Sequence, residues 1–285
     1  MLAIADICGF FTWHILLKEQ AKTLQHLRQA FRFEKSDKEL RLIGLRVFQN
    51  LGKTAVDVLR MQKVLNGSVP IECSKAVFQK IDLARSKGNG MICLTAHFGN
   101  WELITGFIIK SGYTGTVIGK KIYYEPFNRV LENIRLKTGA QIIYRDQSPK
   151  LILKTLKRNE LIGILPDQDV DSIEGVFIRF FGEWAYTPTA PAKISLASGA
   201  PILPLFMARD GSGYQLLSDE LIWPDEYREL EREEAVLQIT KRWSKVIENA
   251  IRQRPEQWAW MHRRWKTRPD AKMQTELEAV EKVSR

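Results

Sequence analysis

The spacing of apolar residues changes character near Gly88. Before it, apolar positions recur at three- and four-residue intervals. Residues 20–33 place Gln20, Leu24, Leu27 and Phe31 along one face, with Lys22, Arg28 and Arg32 elsewhere. Residues 38–65 continue with Leu40, Leu42, Ile43, Leu45, Val47, Phe48 and Leu51, again at helical spacing. After Gly88, short β-like runs alternate with helical stretches. The runs are 91–96, 114–119, 140–144, 161–166, 176–181 and 201–208; the helical segments between them are 100–111, 125–138, 148–158 and 189–198. A last long helix covers 233–253. The pattern predicts an α/β fold with a mainly parallel sheet covered by helices, preceded by an N-terminal helical, membrane-associated segment. Residues 1–86 form that segment and 87–285 the core, read as one continuous domain. In such a sheet, ligands gather at the carboxyl ends of the strands.

The first residues add a further expectation. Leu2 to Leu17 is an apolar run interrupted by Asp6, Thr12 and His14 and closed by Lys18 and Glu19. A spanning helix needs roughly 20 apolar residues, and the run lacks the basic start and small-residue cleavage site of a signal peptide. It reads as an interfacial helix or as the lower half of an anchor; a buried helix is the alternative. The chain carries a formal charge of +10 on 285 residues, 45% of them hydrophobic. That balance suits a globular protein with an anionic partner, either an acidic protein or an anionic membrane surface. Nucleic acid is disfavoured, because the Lys and Arg residues are scattered and no nucleic-acid signature appears. Cys8, Cys73 and Cys93 are isolated among apolar neighbours and read as buried thiols in a reducing compartment, not as a disulfide framework or zinc site.

Candidate chemistry lies at two strand ends. Strand 91–96 delivers His97, followed by Phe98-Gly99-Asn100-Trp101-Glu102. Gly99 allows a sharp turn, Asn100 is a plausible N-cap, and Glu102 falls in the first helical turn, where the helix dipole favours an ionised carboxylate. Beside His97, Glu102 would fix the imidazole tautomer and stabilise the imidazolium, making a general-base pair. A structural histidine in a tight turn is the competing reading. Strand 161–165 leads into Pro166-Asp167-Gln168-Asp169. These carboxylates are turn formers, catalytic groups, or the Asp-x-Asp of a metal-dependent, membrane-associated glycosyltransferase. Arg135 is either a surface partner of Glu132 or a cation for an oxyanion or phosphate. No G-x-S-x-G elbow or Walker loop is present.

HFGNWE (97–102) resembles the H-x-x-x-x-D/E motif of the lysophospholipid acyltransferase superfamily. The remaining blocks resemble its lipid A branch, the Kdo-dependent lauroyl and myristoyl acyltransferases. These blocks are LRQAF (27–31), FNRVLENIRLKTGAQII (127–143), LPDQD with GVFIRFFGEWAYTPTAPAKISLASGAPILP, and PEQWAWMHRRWKTRP (255–269). Trp265 takes the Phe position of the closing signature, and Gly175 comes later after the aspartates than is usual. The resemblance implies an acyltransferase with His97, Glu102, Arg135 and Asp167 catalytic. Asn128, Gln168, Asp169, Arg263 and Arg264 stand as substrate-binding candidates. It implies an acyl-carrier-protein thioester as donor and a lipid A precursor or related anionic glycolipid as acceptor. The place of action would be the cytoplasmic face of the bacterial inner membrane, with no metal or cofactor. The cluster Arg263, Arg264, Lys266 and Arg268 is expected to recruit an acidic donor or lipid phosphate, unless its stems pack under Trp258, Trp260 and Trp265.

Overall fold

The computed structural model describes residues 2–145, 147 and 149–283. Three helices open the chain: α1 (Leu2–Ile15), α2 (Leu17–Phe31) and α3 (Asp37–Leu59). Ser36 starts α3 with a reciprocal cap. Its hydroxyl accepts from the Glu39 amide, and the Glu39 carboxylate takes the Ser36 amide at 2.8 Å. α1 and α3 run antiparallel and close, with Gly9 against Phe48–Gln49 and Gly44 against Trp13. A Cβ on Gly9 would lie 2.5 Å from the Gln49 Cα, so the contact needs glycine. α1 buries Ala5, Gly9 and Trp13 and leaves Ile4, Ile7, Phe10, Phe11 and Ile15 exposed. Among the described residues, no helix is long and apolar enough to cross a membrane.

A one-turn helix α4 (Met61–Lys63), a π-turn, strand β1 (Ile71–Cys73) and α5 (Lys75–Ser86) lead into the sheet. From there the chain runs β2 (Met91–Leu94), α6 (Trp101–Lys110), β3 (Gly115–Gly119), α7 (Glu125–Lys137), β4 (Gln141–Tyr144), α8 (Pro149–Lys157) and β5 (Leu161–Ile164). It continues with β6 (Gly175–Phe180), β7 (Glu183–Pro188), α9 (Ala190–Ser198), β8 (Ile202–Asp210), β9 (Gly213–Ser218), α10 (Arg232–Gln253) and α11 (Ala271–Val283). Seven strands form one sheet in the order β1-β9-β8-β2-β5-β3-β4. All its neighbours are parallel except β8 and β9. The mainly parallel α/β expectation therefore holds.

Two details depart from it. The run 176–181 does not join the main sheet: β6 pairs antiparallel with β7 as a separate hairpin. Phe181 and Gly182 take positive φ at the turn, which brings the strands back on each other. β1 and β9 were not legible either: β1 is a three-residue edge strand, and β9 buries its residues with little period-two pattern.

The apolar core joins the N-terminal helices to the C-terminal block. Leu24, Leu27 and Phe31 of α2 pack into one cluster with Phe180, Phe181, Trp258, Trp260 and Trp265. Phe31 meets Phe181 and Trp260 with ring centroids 5.5 and 5.8 Å apart. Aromatic rings at these separations bury large apolar area and fix mutual orientation. The segment 255–269 is thereby held over the carboxyl ends of the central strands.

Candidate active site

β2 and β5 are parallel neighbours with Leu94 opposite Ile164. Continued three residues past the strand ends, that register sets His97 beside Asp167. The Asp167 carboxylate accepts from the His97 backbone N–H at 2.9 Å and bonds the imidazole Nδ1 at 2.8 Å. Trp258 Nε1 donates to it as well, at 2.9 Å. Asp167 is 2% exposed, and a carboxylate this deep persists as an anion only when donors surround it. Burial pushes its pKa up, but the His97 charge, the two His97 hydrogen bonds and the Trp258 bond outweigh it and hold the group well below the usual carboxylate range.

The same contact governs His97. Burial works to lower its pKa; the Asp167 charge and hydrogen bond, with a smaller contribution from the Glu102 charge, win and raise it above 6.5. With Nδ1–H donated to Asp167, Nε2 is the nitrogen left to take a proton. The direct partner of His97 is thus Asp167, and the bond expected of Glu102 is not made. Glu102 instead accepts two hydrogen bonds from Arg135, at 2.8 Å from Nε and 2.6 Å from Nη2. The reason is positional: strand register aligns residues 97 and 167, whereas the first turn of α6 faces α7.

The turn carrying His97 is strapped on all sides. Gly99 has φ +59°, and a side chain there would drive into the Met207 carbonyl. Its N–H donates to the Gln257 carbonyl at 2.8 Å, and the Ala259 N–H donates to the His97 carbonyl at 3.0 Å. Asn100 makes no side-chain cap. Its Nδ2 donates to the Tyr214 hydroxyl at 3.1 Å, Tyr214 donates to Asp57 at 2.8 Å, and Arg209 donates to the same Asp57 oxygen at 2.7 Å. A buried polar cluster therefore couples α3 to the His97 turn.

The remaining candidates separate clearly. Gln168 places its side-chain amide nitrogen 3.2 Å from His97 Nε2 and 3.2 Å from His262 Nε2. Asp169 accepts from the Thr267 N–H at 2.6 Å and hydroxyl at 2.9 Å, anchoring the C-terminal segment. Both aspartates spend their oxygens on protein donors, so the Asp-x-Asp glycosyltransferase reading is not favoured. Asn128 is buried, accepts from the Ile122 N–H at 2.9 Å and donates to Glu132 at 2.8 Å. It shapes the start of α7. Arg135 leaves Glu132 to Asn128 and faces Glu102.

Arg264 corrects the docking expectation. It is 1% exposed, donates to the Tyr186 carbonyl and the Thr187 hydroxyl, both at 2.6 Å, and lies over the Phe180 ring. Burial draws its pKa down to about 10. It is a packing cation, unavailable to a partner. Lys266 pairs with Asp171, whereas Arg263 is exposed.

Sequence reasoning missed His262. Its ring lies 4.8 Å from that of His97, which also has the Trp101 ring 5.1 Å away. Burial and the His97 charge lower its pKa to about 4, so it is neutral where His97 titrates. The available signal was a stretch dense in Trp and Arg around a single His, with neither strand nor helix period.

Beside this turn lies a narrow apolar cavity of ≈ 40 Å³, open at one end. Cys93, Ile104, Ile108, Val117, Leu161 and Leu205 line it, and Trp101, Glu102 and Arg135 stand in its wall. Burial pushes the Cys93 thiol up to about 12, which removes it as a thiolate nucleophile at neutral pH.

A carboxylate-oriented imidazole beside an apolar cavity, at the strand ends of an α/β sheet, is a geometry suited to general-base chemistry. The chain belongs to the bacterial lipid A biosynthesis acyltransferase family, whose sequence model matches residues 2–267. It is similar to the lipid A biosynthesis lauroyltransferase of Escherichia coli K12, 35% identical over 48% of this chain and 43% of that one. The Escherichia coli K12 lipid A biosynthesis palmitoleoyltransferase is 30% identical over 65% of this chain and 59% of that one. A phosphatidylinositol mannoside acyltransferase of Mycobacterium tuberculosis is 23% identical over 47% and 43%. The matches to these three relatives span between about two fifths and three fifths of the relatives' own lengths.

Proposed function

We propose that this protein transfers a fatty acyl group from an acyl-carrier-protein thioester to a hydroxyl of a lipid A precursor or a related glycolipid. The observation that carries the reading is the Asp167–His97 hydrogen bond at 2.8 Å, which leaves Nε2 as base beside an apolar cavity. His97 Nε2 takes the proton of the acceptor hydroxyl as its oxygen attacks the thioester carbonyl. Asp167 stabilises the imidazolium that forms. The tetrahedral intermediate collapses with cleavage of the carbon–sulfur bond, and the imidazolium returns its proton to the thiolate. Arg135, held in place by Glu102, supplies positive charge at the cavity wall for the developing oxyanion. The acyl chain enters through the open end of the apolar cavity, which must widen to hold it, and the neutral His262 with Gln168 borders the approach of the acceptor.

The chain's +10 charge suits both an acidic carrier protein and an anionic acceptor. The exposed apolar face of α1 suits attachment to the cytoplasmic face of the inner membrane without requiring a span. The test is incubation of purified protein with acyl-carrier-protein thioester and lipid A precursor, with mass spectrometry of the lipid. An acylated product formed equally with and without excess chelator is expected. No product from any acyl thioester, or transfer of a sugar restored by a divalent metal, would sink the reading.

A further inference from the structure

Of the thirteen residues of α7, Asn128 alone is buried. A helix normally hides its apolar stripe against its neighbours; this one half-buries Leu131 and Ile134 but leaves Phe127, Val130 and Leu136 exposed. The loop before it exposes Tyr123 completely and Tyr124 by two thirds. Basic residues frame these side chains: Lys120, Lys121, Arg129 and Lys137. Lys121 and Arg129 share Glu125 only loosely, at 3.4 and 3.7 Å. On the other face, Arg135 reaches inward to Glu102 in the wall of the apolar cavity.

We propose that α7 and the loop 120–124 seat on an anionic lipid surface. Tyr123, Tyr124 and Phe127 enter the headgroup region, and Lys120, Lys121 and Arg129 face the phosphates. Two features select lipid as the occupant. Tyrosine and phenylalanine beside long basic side chains match an interface that is apolar within and anionic at its rim. The charge is also one-sided, since residues 120–137 hold five basic and two acidic groups. Because Arg135 lies on the inner face of the same helix, seating α7 sets the cavity wall against the bilayer, where an acyl chain or glycolipid arrives without crossing water. The surface rests on the membrane-facing part of the proposed function, but its test needs no catalysis.

The experiment is flotation of the full chain with phosphatidylcholine vesicles, with or without a quarter phosphatidylglycerol, in the absence of acyl donor. Three double variants are compared: Tyr123→Ser with Phe127→Ser, Lys120→Gln with Lys121→Gln, and Phe10→Ser with Phe11→Ser on α1. The Tyr123/Phe127 pair should lower partitioning at least roughly tenfold on anionic vesicles, because exposed apolar area no longer enters the interface. The lysine pair should lower it roughly fivefold per charge on anionic vesicles and leave neutral vesicles unaffected. Both should keep wild-type melting temperature and wild-type turnover on detergent-dispersed acceptor. Wild-type partitioning of both α7 variants, with loss confined to the α1 variant, would overturn the proposal by placing all attachment on α1. Unchanged partitioning, together with a wild type that self-associates in analytical ultracentrifugation and α7 variants that do not, would overturn it in favour of a second copy of the chain. Absence of vesicle binding by the wild type would overturn it along with the membrane attachment, while turnover in detergent would still uphold the acyl-transfer chemistry.

Discussion

Asp167 and His97 form a coupled pair in which each holds the other's charge state, and this makes the pair testable by pH. As the proposed base, His97 acts in its neutral form, and Asp167 raises its pKa above 6.5. kcat/KM should therefore fall as pH drops through that raised value. Asp167→Asn removes the anion, so the ascending limb should move to lower pH while the plateau falls by ~10²-fold or more. A variant limb at the wild-type position would mean that another group sets the titration. His262 answers to a different measurement. Its native pKa of about 4 lies below its unfolded value of 6.5, so unfolding takes up a proton between the two. Its contribution to stability is lost as pH falls from 6.5 towards 4. In thermal melts, His262→Gln should flatten that part of the stability profile and leave the region above pH 7 nearly unchanged. His262 was invisible in the sequence because nothing local sets it opposite His97; packing of the tryptophan-rich segment does.

At the level of elements, the strands and helices most strongly patterned were legible, and so was the site's position at strand ends. What escaped was pairing between segments distant in sequence. His97 and Asp167 are joined through the β2–β5 register, 70 residues apart. Glu102, five residues from His97, looked like the partner because sequence shows proximity along the chain and not across the sheet. The closing block teaches the same point with opposite sign. Arg263 and Arg264 are adjacent and chemically alike, yet one is exposed and the other is clamped beneath the β6–β7 hairpin. Arg264→Glu would bury a carboxylate against the Tyr186 carbonyl and should cost about 3–5 kcal/mol, the scale seen when a buried polar partnership is broken. Arg263→Glu should stay within about 0.5 kcal/mol and instead slow association with an acidic donor at low salt. Urea denaturation of the two single variants distinguishes them; equal stability would contradict the burial of Arg264.

Across the whole molecule, three surroundings converge on one turn. The N-terminal helices reach it through Asp57, the sheet through Asp167 and Met207, and the C-terminal segment through Gln257, Trp258 and Ala259. Such convergence holds an imidazole in one geometry and leaves one nitrogen for chemistry, which is what preorganised proton transfer needs. In the proposed reaction, His97 is the base for acyl transfer. That role is tested most directly by turnover of purified His97→Ala with acyl-carrier-protein thioester and lipid A precursor. The predicted result is a rate lowered ~10²–10⁴-fold with an unaltered circular dichroism spectrum. A folded His97→Ala protein retaining more than about a tenth of wild-type turnover, against that expected loss, would contradict the account.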